Sequence, residues 1–297
     1  MIGIRQILQR RRAVSNICRL TRTMQIVSTA SFKSYYKKWL AVSEYHHALA
    51  QAGYLLVTSE TPLEHPLLKD NSSGQSAVLV IGSKGGLCGS YNTAIYEHLG
   101  HHIDMAKSAG KSLSIYAPSG RLVGLLHARG VTLAKTYSGL GEVPSDAQIH
   151  EITVDFVDRY MAGQLDYFGV VYMAFNSPGH QQAQTMTIMP LTDLIDHLTT
   201  RARAIWPWDL VFEDFLMSPS PEEIIASLAG MIMYTTVKGC FLEAALSEHV
   251  ARMVAMRNAT KNAEDMIRDL TADYNRARQT NITSELLDII SGIGVLR

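Results

Sequence analysis

Toward its C-terminal end the chain sets a seam of residues at alternating three- and four-residue steps: Leu246, His249, Met253, Met256, Thr260, Ala263, Ile267, Leu270, Tyr274 and Ala277. That spacing puts one stripe of a helix against one partner. Proline is absent after Pro221, and glycine occurs there only at Gly230, Gly239, Gly292 and Gly294. Alanine, leucine, methionine, glutamate and arginine fill the intervals, so the pattern predicts one helix over 221–297. At 1.5 Å per residue it would run on the order of 100 Å, more than the width of a small domain. Glu248 with Arg252, and Glu264 with Arg268, stand four apart in the order that favours pairing along one helix. After Ala277 the seam meets polar Asn281, Ser284 and Asp288, and an apolar stripe resumes out of register as Ile282, Leu286, Ile289, Ile290 and Ile293. Either the helix leaves its mate for a different environment there, or the coil carries a stutter.

The N-terminal stretch, about 4–54, also reads as one long helix, with no proline before Pro62. Its weaker seam is Ile7, Val14, Ile17, Thr21, Met24, Ser28 and Ser31, whose small members allow close approach. Two long helices at opposite ends of one chain pair most simply antiparallel. Between them the pattern changes. Residues 62–75 are polar and irregular, a first boundary. Strands are expected at 77–81, 112–116, 131–137, 166–175 and 182–191, and helices at 90–107, 120–129 and 144–162, the last opened by Ser145. Alternating strands and helices imply a parallel-leaning sheet covered by helices. Aromatic, acidic residues at 202–221 form a second boundary. The expected architecture is a Rossmann-like α/β domain (76–200) and a foot or linker (201–221), inserted between helices 1–60 and 222–297 that form a long antiparallel coiled coil.

Composition changes this picture little. Hydrophobic residues make up 47% and charged residues 18%, as expected of a folded chain. The net charge is zero, but all charged residues before Glu44 are basic: Arg5, Arg10, Arg11, Arg12, Arg19, Arg22, Lys33, Lys37 and Lys38. A mitochondrial transit peptide, a nucleic-acid-binding arm and a solvated helix face all fit that bias. No apolar run looks long enough to span a membrane. Cys18, Cys88 and Cys240 lie far apart, outside metal-ligand spacing, as sparse reduced thiols do.

Candidate chemistry is sparse. Residues 82–89, GSKGGLCG, lie between a strand and a helix, where doubly wound domains cradle phosphates. The spacing matches neither GxGxxG nor GxxxxGK[ST], and a tight turn with positive φ accounts for the glycines equally. His98, His101 and His102 with Glu97 offer pairs four apart, without HExxH; an exposed polar face is the simpler reading. His46 and His47 are adjacent and diverge on a helix. No GxSxG motif is present. A helical pair without a catalytic constellation points to a mechanical or scaffolding role.

SEHVARMVAMRNATKNAEDMI and DYNRARQTNITSELLDIISG resemble the C-terminal helix of the gamma subunit of F-type ATP synthases. IRQILQRRRAVSNICRLTRTMQIVSTASF resembles the family's opening helix, and SKGGLCGSYN its central glycine-leucine-cysteine-glycine turn. The three matches follow the family's order and bracket nearly the whole chain. Because the first begins almost at Met1, it leaves little room for a transit peptide. Two departures stand in the turn: Lys84 and Gly85 replace an aspartate-arginine pair, and Ser90 replaces a glycine. A third is a seemingly longer stretch at 208–221.

The resemblance implies a central rotor shaft rather than an enzyme, with no catalytic residue, cofactor or metal of its own. Its expected partners are three alpha and three beta subunits around the tip, and the epsilon subunit and the ring of c subunits at the globular domain and foot. Nucleic acid is not among them, and the membrane is reached only through the complex, on the cytoplasmic face of a bacterial inner membrane. Matched residue by residue, the contacts to beta would include Met24, Arg252, Arg278, Gln279, Thr283 and Glu285. Leu210 and Phe212 resemble contacts to the c ring. The competing reading is an α/β nucleotide- or ligand-binding protein whose helices serve self-association.

Overall fold

The computed structural model describes residues 4–57, 65–205, 218 and 220–294. In chain order it contains α1 (Ile4–Val57), a short 3-10 turn (Pro66–Leu68), β1 (Gln75–Val80), α2 (Tyr91–Ser108), β2 (Ser112–Pro118) and α3 (Arg121–Ala128). There follow β3 (Lys135–Tyr137), α4 (Asp146–Met161), β4 (Tyr167–Ser177), β5 (His180–Met189), α5 (Leu191–Ile205) and α6 (Pro221–Gly294). The chain divides into two compact units, residues 1–30 with 252–297, and residues 31–251.

In the first unit α1 and α6 pair antiparallel. The Arg11 guanidinium lies over the Tyr274 ring at 5.7 Å, the Thr21 and Thr260 hydroxyls are 2.7 Å apart, Arg22 pairs with Glu264, and the Thr29 hydroxyl sits 3.4 Å from the Met253 sulfur. From Arg11 through Thr21 to Thr29 the partner falls from Tyr274 through Thr260 to Met253, a trend that only an antiparallel pair allows. The α6 seam keeps its expected spacing: Met256, Thr260 and Ala263 are buried, and Ile267 and Leu270 pack against Val14, Cys18 and Ala263. On α1 the expectation fails at Ile17, which is 53% exposed, while Cys18 is buried. Steps of four and three from Val14 through Cys18 to Thr21 hold the stripe, and Ile17 lies about 100° away around the helix. Glu264 reaches across the seam to Arg22 while Arg268 turns to Asp265, so the expected pairing of Glu264 with Arg268 does not form.

The second unit is built on a five-stranded sheet of order β3-β2-β1-β4-β5. β1 through β4 pair in parallel, and β5 is an antiparallel edge joined to β4 by a tight connection. The period-two pattern of the central strands feeds two cores. Ala77, Leu79, Phe168, Val170 and Tyr172 face a core shared with α4, α5 and α6. Val78, Val80, Val171 and Met173 face a core shared with α2 and α3. Both faces are covered, so the strands read as apolar runs rather than alternations. Ser145 caps α4 and forms a reciprocal capping box with Gln148. Here too α1 runs antiparallel to α6: the Trp39 indole donates to Glu243 at 3.3 Å, and His46 lies 2.7 Å from Thr236.

Three expectations need correction. The third strand is confined to Lys135–Tyr137, because Gly130 turns left-handed and the Val131 amide closes the end of α3 on the Leu126 carbonyl. Helix α5 was not anticipated, although Leu191, Leu194, Ile195 and Leu198 bury one face at helical spacing. The Glu223–Leu287 part of α6 contains a window of mean hydropathy 1.4, apolar enough to cross a membrane by length and composition, half of it buried. Ile225, Ala229, Ile232, Met233, Val237, Cys240 and Phe241 of this helix are buried in the core beside the sheet, so that apolarity serves a core helix.

Phe156 and Phe168 stack at 3.9 Å between centroids, and both are fully buried. Phe156→Ala is expected to lower unfolding free energy by about 3–5 kcal/mol, as a lost aromatic core side chain does. Urea denaturation followed by circular dichroism measures it.

Candidate interaction surfaces and the glycine-rich crevice

The turn after β1 is set by local chemistry. A side-chain carbon at Gly82 would fall 2.3 Å from Leu122 Cβ, so only glycine fits. The left-handed positions are Leu87 at φ 65° and Gly89 at φ 62°. The Ser83 amide donates to Asn92 Oδ1 at 3.0 Å, the Asn92 amide group donates to Ser83 Oγ at 2.7 Å, and the Arg121 amide donates to the Ser83 carbonyl at 3.0 Å.

Where a phosphate would be expected, α6 supplies a carboxylate. Glu248 accepts the Lys84 amide at 3.1 Å and the Gly85 amide at 3.4 Å. Beside it His249 Nε2 lies 3.0 Å from Glu142 Oε2, the Tyr35 ring stacks on His249 at 5.5 Å, and Lys84 Nζ donates to the Leu140 carbonyl at 3.0 Å. Burial and then the Glu142 carboxylate push the Tyr35 hydroxyl up to about 12. The cavity left among these groups is 20 Å³, room for about one water. Spacing along the chain carries no sign of this cluster, because Glu248 and Lys84 are 164 residues apart.

The residues matched to beta contacts fall into separate places. Met24 is half-buried and Arg252 is buried; Arg278, Gln279, Thr283 and Glu285 are exposed. The last four occupy consecutive turns of α6, with the Thr283 hydroxyl donating to the Gln279 carbonyl at 2.9 Å. Arg278 and Glu285 share a face two turns apart. From Arg252 to Arg278 the helix rises about 39 Å, so the set forms no single site. All described side chains from 278 to 287 are exposed, including Ile282, Leu286 and Leu287. Among the described residues, the part of the apolar stripe at Ile282, Leu286 and Leu287 thus has no cover within the first unit. Leu210 and Phe212, and the side chains of Ile289, Ile290 and Ile293, lie outside the described residues.

Of the α2 cluster, Glu97 and His101 are exposed as expected, while His98 and His102 are half-buried. His98 and His102 turn to β5, where both Nε2 atoms bond the single Thr185 hydroxyl, His98 at 3.0 Å. That hydroxyl donates to one ring and accepts from the other, an arrangement two neutral imidazoles satisfy. Burial, then the charge of neighbouring imidazoles, lowers both pKa values. Among the described residues no three His, Cys, Asp or Glu converge as a metal site. Cys18, Cys88 and Cys240 are buried, and none is in a disulfide.

Residues 3–296 match the family model described as ATP synthase. The ATP synthase gamma chain of Rhodopirellula baltica is 32% identical over 297 residues, covering 100% of this chain and 99% of that one. The Leptospira biflexa gamma chain is 28% identical, with 97% of each chain covered. Among solved structures, a chain of the Euglena gracilis mitochondrial ATP synthase superposes with a TM-score of 0.64 at 15% identity, over 99% of this chain and 94% of that one. A chain of that synthase's rotor gives 0.60 over 94% and 98%. At such identity the structural likeness concerns the fold.

The lowered histidine pKa values carry a sign. A folded state that binds fewer protons than the unfolded chain loses stability as pH falls below about 6.5, and the loss levels off below the folded pKa values. Thermal unfolding of the chain at about pH 7.5 and about pH 5 is expected to show this drop. A His98→Gln/His102→Gln variant is expected to show a smaller one.

Proposed function

The chain belongs to the ATP synthase family as one of its gamma chains, and on that footing we infer that it transmits torque through paired helices to the catalytic subunits of the complex. As a gamma chain it is a rotor subunit of a membrane-associated complex, not the catalytic one. The observation that carries the mechanical reading is the full-length match together with the interlocked seam of the first unit. Two helices joined by the Thr21–Thr260 hydroxyl pair and the Arg22–Glu264 ion pair resist twisting better than either alone.

In this reading residues 1–60 and 222–297 are shaft helices, 76–200 the globular domain and 201–221 the foot. Three alpha and three beta subunits surround the end of α6. Epsilon and the ring of c subunits engage the globular domain and the foot, with Leu210 and Phe212 toward the ring. The complex sits on the cytoplasmic face of a bacterial inner membrane. Ion flow turns the ring, the ring turns the shaft, and the shaft's asymmetry drives each beta subunit through its conformations. Exposed Arg278, Gln279, Thr283 and Glu285 would meet beta, with the two charged side chains making charge-assisted hydrogen bonds. Buried Arg252 and half-buried Met24 act farther down the pair. The exposed Ile282, Leu286 and Leu287 suit an apolar collar in which the end of α6 turns.

Self-association around a nucleotide-binding domain remains the competing reading, and the Glu248 carboxylate on the glycine-rich turn weighs against it. Mixing the purified chain with alpha and beta subunits from the same source separates the two. A complex of three alpha, three beta and one of this chain, with ATP hydrolysis dependent on it, is expected. No complex, with nucleotide bound at residues 82–89 by the chain alone, would reverse the assignment.

Within the assembled complex, Arg278→Ala with Gln279→Ala is expected to reduce coupled synthesis about tenfold, the effect of about 1.4 kcal/mol in the driven step. Assembly, measured by complex mass, is expected to stay intact. Undiminished synthesis in an intact complex would remove these residues from the contact with beta.

A further inference from the structure

Open α/β sheets hold phosphate-bearing ligands just outside the carboxyl ends of their parallel strands, against backbone amides of a glycine-rich turn. In this chain that place follows β1, the strand flanked by β2 and β4 about which the strand order reverses. Two consecutive amides there, those of Lys84 and Gly85, aim at one carboxylate. Consecutive amides converging on one point form a general oxyanion nest. The carboxylate belongs to Glu248, which is 3% exposed.

Other groups set the shape of the turn. The Ser83–Asn92 exchange, the Arg121 amide on the Ser83 carbonyl and the tight approach of Gly82 to Leu122 fix its backbone without Glu248. The nest is therefore preformed by the second unit, and Glu248 enters it as a ligand would. Neighbouring groups close the crevice: His249 against Glu142, Lys84 Nζ against the Leu140 carbonyl, and the Tyr91 hydroxyl donating to the Ala244 carbonyl at 2.9 Å. The remaining 20 Å³ is too small for a phosphate group alongside the carboxylate.

We propose that Glu248 is a resident anion: it fills the oxyanion site of the glycine-rich turn, excludes free phosphate, and pins the carboxyl edge of the sheet to α6 within this unit. Vacated, the nest takes a small oxyanion, either a carboxylate or inorganic phosphate. The occupancy stands on the geometry of one unit; the value of the pin for torque rests on the shaft reading above.

Amide hydrogen exchange of residues 83–89 in the full chain tests it, with wild type, Glu248→Gln and Glu248→Ala compared with and without acetate or inorganic phosphate. In Glu248→Ala, exchange at Lys84 and Gly85 is expected to rise about tenfold or more. Saturating acetate or phosphate is expected to restore protection, and wild type to be indifferent to both. Glu248→Gln keeps one acceptor oxygen and is expected to fall between. Equal protection in the alanine variant, or a loss that neither anion reverses, overturns the proposal. Should the alanine variant not fold, a glutamine variant with wild-type exchange at both amides overturns it as well. In the assembled complex, Glu248→Ala is expected to lower coupled synthesis more than hydrolysis, with acetate restoring part of it. Anion-restored protection without that effect would leave the site standing and overturn its mechanical role.

Discussion

The seam between antiparallel α1 and α6 is the constraint on which the first unit depends. Residues 4–30 share their unit with no described strand, so within it they are fixed by residues 252–277 of α6. Apolar burial alone would leave such a pair free to slide, since one leucine or methionine replaces another with little cost. Polar groups at the seam remove that freedom. The Thr260 hydroxyl closes on the Met256 carbonyl at 2.8 Å and also meets Thr21 across the interface, which places each helix relative to the other to within one residue. Ser28, almost fully buried, and Ala263 keep the backbones close, and Arg22 with Glu264 adds a charge match at the rim. A shaft that carries torque needs such register, because slippage along the seam would absorb rotation.

In the second unit α6 has a different task. Ile225, Ala229, Ile232, Met233, Val237, Cys240, Phe241 and Ala244 cover one face of the sheet together with α4 and α5. Burial here extends almost all round the helix, whereas from Arg252 onward it narrows to a stripe. Glu243 there accepts from the Trp39 indole and from the Tyr172 hydroxyl, which in turn accepts from Gln184. Glu248 does the same for the turn after β1. Buried carboxylates that each answer specific donors fix position more than they add stability, because desolvation offsets most of the attraction.

Much of this was legible in the residues themselves. The long helices, their antiparallel pairing, the α6 seam through Ala277 and the alternation of strands and helices follow from spacing, since a period of 3.5 or 2 admits few packings. The family was legible in three motifs. Helix α5 is hidden in the residue pattern because β5 runs into it through Met189 and Pro190, so the strand pattern continues to Leu191. Ile17 was placed on the seam because isoleucine is the more apolar neighbour, yet geometry gives the position to Cys18. The half-buried place of His98 and His102 is hidden in the sequence because their partner, Thr185, is more than eighty residues away.

Local pattern and composition thus settle the long helices, the central strands and the stripe that α6 buries, because those properties depend on neighbours three or four positions away. The tertiary structure alone decided what meets across large separations: Glu264 with Arg22 instead of Arg268, two histidines on one threonine, and Glu248 in the glycine-rich turn. Long-range pairs depend on the register of whole elements, and one shift of a residue would change every partner. For that reason a glycine-rich turn that reads as an open phosphate cradle is, once folded, already filled by the chain's own carboxylate.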